Sequence, residues 1–270
     1  MFFDTHTHGS YSYDCDAKHH EMIAAAKAQG LSGICFTEHF EYVPDVGKLC
    51  GFEMIPYLSK LRSFSQKESP SGFQVLSGLE IGLFDHHMES PEFAMQHFKF
   101  DAIIGSVHYV INESDPYYPA YTADKDKFTA YSKILEKYIE LLPRHNKINI
   151  MGHFDYVSRY SQTYEDRNMY YKDFPDHFDK LFTILIDNGI ALEINTSTYQ
   201  KRDSYPANKL DINILKRYRE LGGRLVTLGS DAHAPANVGQ GFKEAAELIK
   251  EAGIPYLTHF VKRKPVLEKI

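Results

Sequence analysis

Asp4-Thr5-His6-Thr7-His8 ends the first apolar run of the chain, at residues 1–8. Successive side chains of a β-strand point to opposite faces, so His6 and His8, two residues apart, point to the same side. Two imidazoles on one side of a strand can grip a single ion. We therefore expect a strand whose carboxyl end contributes a pair of metal ligands.

The same arrangement, a short apolar run followed by ionisable side chains, recurs along the 270 residues. Apolar runs predict strands at residues 1–8, 33–39, 73–81, 102–108, 148–153, 191–196 and 224–231. Amphipathic stretches predict helices at residues 18–29, 54–66, 91–98, 125–142, 174–188, 212–221 and 241–252. This alternation is typical of a parallel sheet covered by helices. We expect an α/β barrel one strand short of eight, with an open doubly wound sheet as the alternative.

Ionisable side chains end six of the seven predicted strands. They are His6 with His8, Glu38 with His39, Glu80, His108, His153, and Asp231 with His233. The carboxyl ends of barrel strands meet on one face, so these side chains should converge there. Any one of them, such as His153, is equally well explained as a buried core histidine. The whole set is not explained in this way, because burying several ionisable groups at one end of a barrel costs free energy unless they are paired or bound to a metal. His and carboxylate together suit Zn, Mn or Fe better than Ca or Mg.

Composition narrows the classes of partner. The net charge is -6, the pI is near 6.2, and no basic run is present, so a nucleic-acid partner is not expected. No apolar stretch approaches the roughly 20 residues that span a bilayer, and the first residues do not resemble an export signal. Cys15, Cys35 and Cys50 are too few for a disulfide framework. We therefore expect a cytoplasmic protein with no membrane partner, and the sequence carries no signal of its oligomeric state.

Taken in order, these motifs resemble those of the PHP (polymerase and histidinol phosphatase) superfamily. The resemblance rests on residues 4–8, 37–39, 78–80, 105–108, 152–155 and 229–233 and covers nearly the whole chain. Residues 193–197 and 230–239 are similar to the histidinol-phosphate phosphatase branch in particular. The resemblance implies a single PHP-type, metal-dependent phosphoesterase domain over residues 1–270, folded as a distorted TIM-like (β/α)7 barrel.

The same resemblance implies three divalent ions, Zn, Mn or Fe, and nine ligands. The first ion would be held by His6, His8, Glu80 and Asp231. Glu80 would bridge to the second ion, completed by His108 and His153. The third ion would be held by Asp14, His39 and His233, with Asp16 as the alternative to Asp14.

Catalysis is expected to depend on Asp231, Glu80 and His233. A water held between two ions loses a proton near neutral pH, so the resulting hydroxide would attack phosphorus in line. Asp231 would take or relay the proton. Asp4 is expected to orient a histidine ligand from behind, as carboxylates next to metal-bound imidazoles do.

A small-molecule phosphomonoester also needs cationic partners, and arginine supplies a planar fork for phosphate. The candidates are Arg159 and, after the sixth strand, Lys201 and Arg202. The acidic and aromatic loop at residues 110–119 offers Glu113, Asp115 and Tyr117 to a cationic substrate group.

Three functions are compatible with these residues. We expect hydrolysis of L-histidinol phosphate to L-histidinol and phosphate. The alternative is another PHP phosphoesterase, acting on nucleotides, cyclic phosphodiesters or phosphotyrosine. A catalytically silent metal-binding scaffold is the third, and the complete ligand set argues against it.

Overall fold

The computed structural model describes residues 1–110, 113–201 and 206–270. Within them the strands are β1 (Phe3–Thr7), β2 (Gly33–His39), β3 (Glu41–Val43), β4 (Lys48–Cys50), β5 (Gln74–Gly82), β6 (Ala102–Ser106), β7 (Ile150–Met151), β8 (Ala191–Asn195), β9 (Val226–Gly229), β10 (Tyr256–Val261) and β11 (Lys264–Lys269). The α-helices are α1 (His19–Ala28), α2 (Met54–Glu68), α3 (Glu89–His97), α4 (Lys127–Leu141), α5 (Tyr156–Tyr160), α6 (Pro175–Asn188), α7 (Ile212–Glu220) and α8 (Phe242–Glu251).

Seven parallel strands form one sheet in the order β1-β2-β5-β6-β7-β8-β9. The two edges of this sheet approach each other, since Thr7 forms a parallel bridge with Ala232 just beyond β9. The His8 N–H donates to the Ala232 carbonyl at 3.0 Å, and the Asp231 N–H donates to the His6 carbonyl at 2.8 Å. The sheet therefore closes almost completely, which confirms the (β/α)7 barrel and excludes the open doubly wound alternative.

All seven predicted strands and all seven predicted helices are present, with ends that differ from the structure by no more than two residues. The predicted helix ends have a physical basis. Gly189 follows α6 in a left-handed conformation with φ 64°, where a side chain would be strained. Asp211 precedes α7, and its carboxylate accepts a hydrogen bond from the Asn213 N–H.

The hairpin β10–β11 covers the end of the barrel where the strands begin. Phe260 of β10 packs with Phe3, Ala102 and Ile150, which stand at or near the amino ends of their strands. The larger apolar core lies between the strands and the surrounding helices. One end of the barrel is thus filled by apolar side chains, and the other is left for the polar strand ends. No described helix has the length and apolar character needed to cross a membrane. The three cysteines are free and buried.

Candidate metal centre

The carboxyl ends of the strands bring the predicted ligands together in three adjoining groups, two of which share Glu80. In the first ligand group, His6, His8, Glu80 and Asp231, the His6 Nε2 lies 3.0 Å from a Glu80 oxygen and 3.6 Å from an Asp231 oxygen. The His8 Nε2 lies 3.3 Å and 3.2 Å from the same two oxygens. Donor atoms about 2.0–2.1 Å from a tetrahedral zinc ion are roughly 3.4 Å from one another. The spacing of this group fits four ligands around one cation.

Hydrogen bonds on the far side of each imidazole fix which nitrogen carries the proton. The His6 Nδ1 lies 2.7 Å from a Glu193 oxygen and must donate to it. The His8 Nδ1 lies 3.0 Å from the Ser12 hydroxyl, which itself donates to Glu38 at 2.6 Å. In the neutral form of each ring, the Nε2 atom presents a lone pair to carboxylate oxygens. Such an array of acceptors is repulsive unless a cation lies among them, so the donor set fits a metal ion.

The second ligand group consists of Glu80, His108 and His153. The Glu80 Oε1 lies 2.9 Å from the His153 Nε2 and 3.3 Å from the His108 Nε2. The same oxygen accepts a hydrogen bond from the Ser106 hydroxyl at 2.6 Å. Its other oxygen, Oε2, faces the first ligand group. The Glu80 carboxylate thus has the orientation that a bridge between two ion positions requires.

The third ligand group consists of Asp14, His39 and His233. The Asp14 Oδ2 lies 3.5 Å from the His39 Nε2 and 3.3 Å from the His233 Nε2. The His8 ring stacks on the ring of His39 and on that of His233, with centroids 4.4 and 4.2 Å away, so this group adjoins the first. Asp14 and Asp16 are both exposed, but among the described residues only Asp14 of the two forms ion pairs with these imidazoles. Asp14 is therefore the acid that the structure brings to the two imidazoles.

The buried carboxylates of the cluster need positive charges close to them. Although burial opposes ionisation, neighbouring imidazoles hold the pKa of the Glu80 carboxyl well below its usual value. Burial likewise disfavours imidazolium, yet Glu41 and Glu80 raise the pKa of His108 to about 10. Protons on histidines can satisfy these carboxylates, and divalent cations can satisfy them instead. Metal binding at this site should consequently displace protons.

Glu193, in the middle of β8, is an outer carboxylate to which the sequence analysis gave no role. It holds the His6 imidazole, and an added Cβ at Gly229 would lie 2.2 Å from its Oε1, so the neighbouring strand needs glycine there. Asp4, predicted to orient a histidine ligand, accepts a hydrogen bond from the His6 backbone N–H at 3.4 Å and forms none with an imidazole among the described residues. The Asp4 carboxylate also accepts hydrogen bonds from Ser230 N–H and hydroxyl groups and from the Gly239 N–H, which fixes the loop carrying Asp231. A carboxylate inside an otherwise apolar predicted strand was the available signal for Glu193.

Arg159 lies beside the first ligand group, as predicted for a phosphate-binding cation. It belongs to α5, is only 3% exposed, and its Nη1 donates to the Asp231 Oδ2 at 2.7 Å. Its Nε donates to the Thr198 hydroxyl at 2.8 Å. Its buried Nη2 has no hydrogen-bond partner among the described residues. A guanidinium donor is thus available next to the ligands without any rearrangement of the barrel.

The other predicted substrate contacts are placed differently. Lys201 is exposed, and Arg202 lies outside the described residues. The Glu113 carboxylate is already neutralised by Lys125 at 2.8 Å and Lys133 at 2.7 Å, so a cationic substrate group would have to displace two lysines. The structure therefore argues against Glu113 as a substrate contact.

Tyr117 is half-exposed and is connected to the cluster through other aromatic rings. Its ring centroid lies 4.7 Å from that of Tyr160, which lies 5.3 Å from Tyr156. Tyr156 in turn lies 5.1 Å from His153 and 5.6 Å from His108. A wall of tyrosines thus leads from the loop at residues 113–119 to the second ligand group.

The fold and the site together define a class of protein: a barrel hydrolase whose chemistry is carried by histidine and carboxylate ligands of metal ions. Comparison with known families makes this more specific. The PHP domain matches residues 4–197, well over half of the chain, and the chain belongs to this family.

Individual relatives are similar over nearly their whole length. A probable histidinol-phosphatase of Clostridium acetobutylicum is 31% identical over 254 residues, covering 94% of this chain and 95% of the relative. The histidinol-phosphatase of Lactococcus lactis is 27% identical, covering 95% and 93%. A crystal structure of histidinol phosphate phosphatase from Lactococcus lactis, complexed with zinc, L-histidinol and phosphate, matches with a TM-score of 0.83, 26% identity and 98% coverage of both chains.

Proposed function

We propose that this protein is a metal-dependent phosphomonoesterase that hydrolyses L-histidinol phosphate to L-histidinol and phosphate. The observation that carries the proposal is the Arg159 guanidinium placed 2.7 Å from Asp231, beside a buried set of ligands for divalent cations. A phosphomonoester dianion needs this combination of a planar cationic donor and metal ions. The similarity to histidinol phosphatases over almost the entire chain supports the particular substrate.

In this proposal the three ligand groups each hold one ion, with Glu80 shared by two of them. Bound divalent ions would polarise the phosphoryl oxygens and supply a hydroxide nucleophile near neutral pH. Asp231 directs its Oδ1 at His6 and His8, so its Oδ2 would accept the proton of the attacking water. Arg159, which holds that Oδ2, would stabilise the charge on the phosphoryl oxygens. His233 contributes as a ligand at the partly exposed edge, with its Nδ1–H fixed by the Asp231 carbonyl at 2.9 Å.

The cationic end of the substrate would be recognised by Asp115 rather than by Glu113. Burial raises the pKa of the Asp115 carboxyl to about 6, and the nearby acids Asp45 and Glu41 add to this effect. No lysine or arginine among the described residues forms an ion pair with Asp115, in contrast to Glu113. An ammonium or imidazolium group of the substrate would supply the missing positive charge, and the wall of tyrosines would contact it through cation–π attraction.

The remaining aspects of the proposal concern the protein as a whole. We place residues 1–270 in one phosphoesterase domain and expect it to act in the cytoplasm on a small molecule. The acidic net charge of -6 supports the expectation that nucleic acid is not a partner.

Phosphate release from a panel of substrates tests the proposal. The panel contains histidinol phosphate, a nucleoside monophosphate, a cyclic phosphodiester and phosphotyrosine, each with added zinc or manganese and with a chelator. We expect the highest kcat/KM for histidinol phosphate and no turnover with the chelator. Equal rates on all four substrates would contradict the assignment of histidinol phosphate as the substrate. Full activity with the chelator would contradict the metal-dependent mechanism.

A further inference from the structure

Glu41 is a buried carboxylate that contacts imidazoles from two different ligand groups. Its Oε2 accepts a hydrogen bond from the His108 Nδ1 at 2.7 Å, and its Oε1 lies 3.2 Å from the His39 Nδ1. The side chain is 1% exposed. Glu41 begins β3, two residues after β2 delivers His39, so the hairpin β3–β4 turns the carboxylate back into the cluster. A single side chain therefore touches both the second and the third ligand groups.

The barrel keeps a space for this carboxylate at Gly82, the last residue of β5. An added Cβ at Gly82 would lie 2.1 Å from the Glu41 Oε2 and 2.9 Å from the Glu41 Cβ. Gly82 does not adopt a positive φ, so its backbone does not require glycine. Glycine is needed at position 82 because any side chain there would push Glu41 away from His108.

We propose that Glu41 is a positioning residue that couples the second and third ion positions, and that Gly82 acts only by making room for it. The proposal rests on the ligand assignment given above. The His108 Nδ1–H donates to Glu41, and the His39 Nδ1 faces Glu41 Oε1 and Glu80 Oε2, each at 3.2 Å, so both rings turn their Nε2 atoms towards the ion positions. A carboxylate can accept from both rings at once. An amide of the same shape can accept from only one, because its NH2 group would face the other N–H.

Retention of zinc by variants tests this coupling without measuring activity. Wild-type protein, Glu41→Gln, Gly82→Ala and the double variant are loaded with zinc and dialysed against a series of competing chelator concentrations. We expect wild type to hold three ions, and each single variant to hold two of them about 10–100-fold more weakly. The double variant should be no weaker than Glu41→Gln alone, because both changes remove the same contact.

Gly105→Ala is the matched control for a crowded glycine. The three atoms nearest to an added Cβ there belong to the side chains of Ile148 and Leu83, so this variant should lose stability but retain zinc as wild type does. Thermal unfolding of the metal-free proteins reports the stability of each. If Gly82→Ala does not fold, Glu41→Gln alone decides the question.

Different results overturn different claims. Wild type that binds no zinc would contradict the ligand assignment itself and this inference with it. Wild type with three ions and a Glu41→Gln variant with unchanged affinities would overturn the coupling role alone. Additive losses in the double variant would contradict the role given to Gly82.

Discussion

Arg159 Nη1 lies 2.7 Å from Asp231 Oδ2, and this ion pair joins the short helix α5 to the loop after β9. Asp231 adopts a left-handed backbone conformation with φ 52°, which is uncommon for a residue with a side chain. The hydrogen bond from the Asp231 N–H to the His6 carbonyl holds this conformation in place. The geometry gives Asp231 two separate tasks, one oxygen for the ligand group and one for the guanidinium.

Replacing Arg159 should impair phosphate recognition. We expect Arg159→Ala to lower kcat/KM by about 100-fold or more, because the loss removes a charge-assisted donor from a site with little water. Arg159→Lys should recover only part of the activity, since an ammonium cannot form the planar fork. Steady-state kinetics measure both. Arg217→Ala, which removes an arginine paired with Asp179 on the surface, is the control and should leave kcat/KM unchanged. Wild-type kinetics for Arg159→Ala would exclude it from the site.

Replacing Asp231 should abolish turnover without unfolding the protein. Asn has the same shape and also tolerates the left-handed conformation, so Asp231→Asn should retain the fold. It loses the charge at the first ligand group and the proton acceptor, so kcat should fall by roughly 1,000-fold or more. Circular dichroism checks the fold and phosphate release checks the rate. A near-wild-type rate would show that the ligand map is wrong, and the same holds for His108→Ala.

Replacing Asp115 should weaken substrate binding, whereas replacing Glu113 on the same loop should not. Asp115→Asn should raise KM for histidinol phosphate by about 10-fold, because the cationic end of the substrate loses its counter-charge. It should leave KM for phenyl phosphate, which has no cationic group, unchanged. Glu113→Gln should change neither value, since its carboxylate is bound to Lys125 and Lys133. Equal effects on both substrates would show that Asp115 does not select for the cation.

His259 should make stability sensitive to acid at the end of the barrel opposite the ligands. Burial lowers the pKa of His259, whose ring stacks on Phe3 with centroids 4.4 Å apart. The folded state therefore binds this proton less readily than the unfolded state, whose pKa is about 6.5. The stabilising contribution is fully present above that value and is lost as the pH falls through it towards the lower folded-state pKa.

The measurement compares urea unfolding of wild type and His259→Phe from pH 7.5 to 5. Wild type should lose up to about 1.4 kcal/mol per pH unit more than the variant over the affected range. Parallel pH profiles for the two proteins would mean that His259 does not titrate between the folded and unfolded states.

Some elements left no usable pattern in the sequence. The turn of the hairpin β10–β11 contains Lys262 and Arg263, with φ of 51° and 66°, where Asn-Gly is the usual signal. The hairpin β3–β4 has three residues in each strand, and α5 has five residues, which is too few for a period to be recognised. These elements nevertheless place Glu41 and Arg159 at the site. Short segments of this kind are held by tertiary contacts rather than by their own propensity.

The sequence by itself determined the alternation of parallel strands with helices and placed His6, His8, Glu80, His108 and the other ligands at the strand ends; closure of the sheet into a barrel was decided by the tertiary structure. Alternating apolar runs and helices give parallel strands, and parallel strands in a barrel must end on one face. Only the tertiary structure decided the partners of those ligands: Glu193 rather than Asp4 for an imidazole, Glu41 between two histidines, and lysines for Glu113. Such contacts depend on ångström-scale distances between residues far apart in the chain, which periodicity and spacing do not encode.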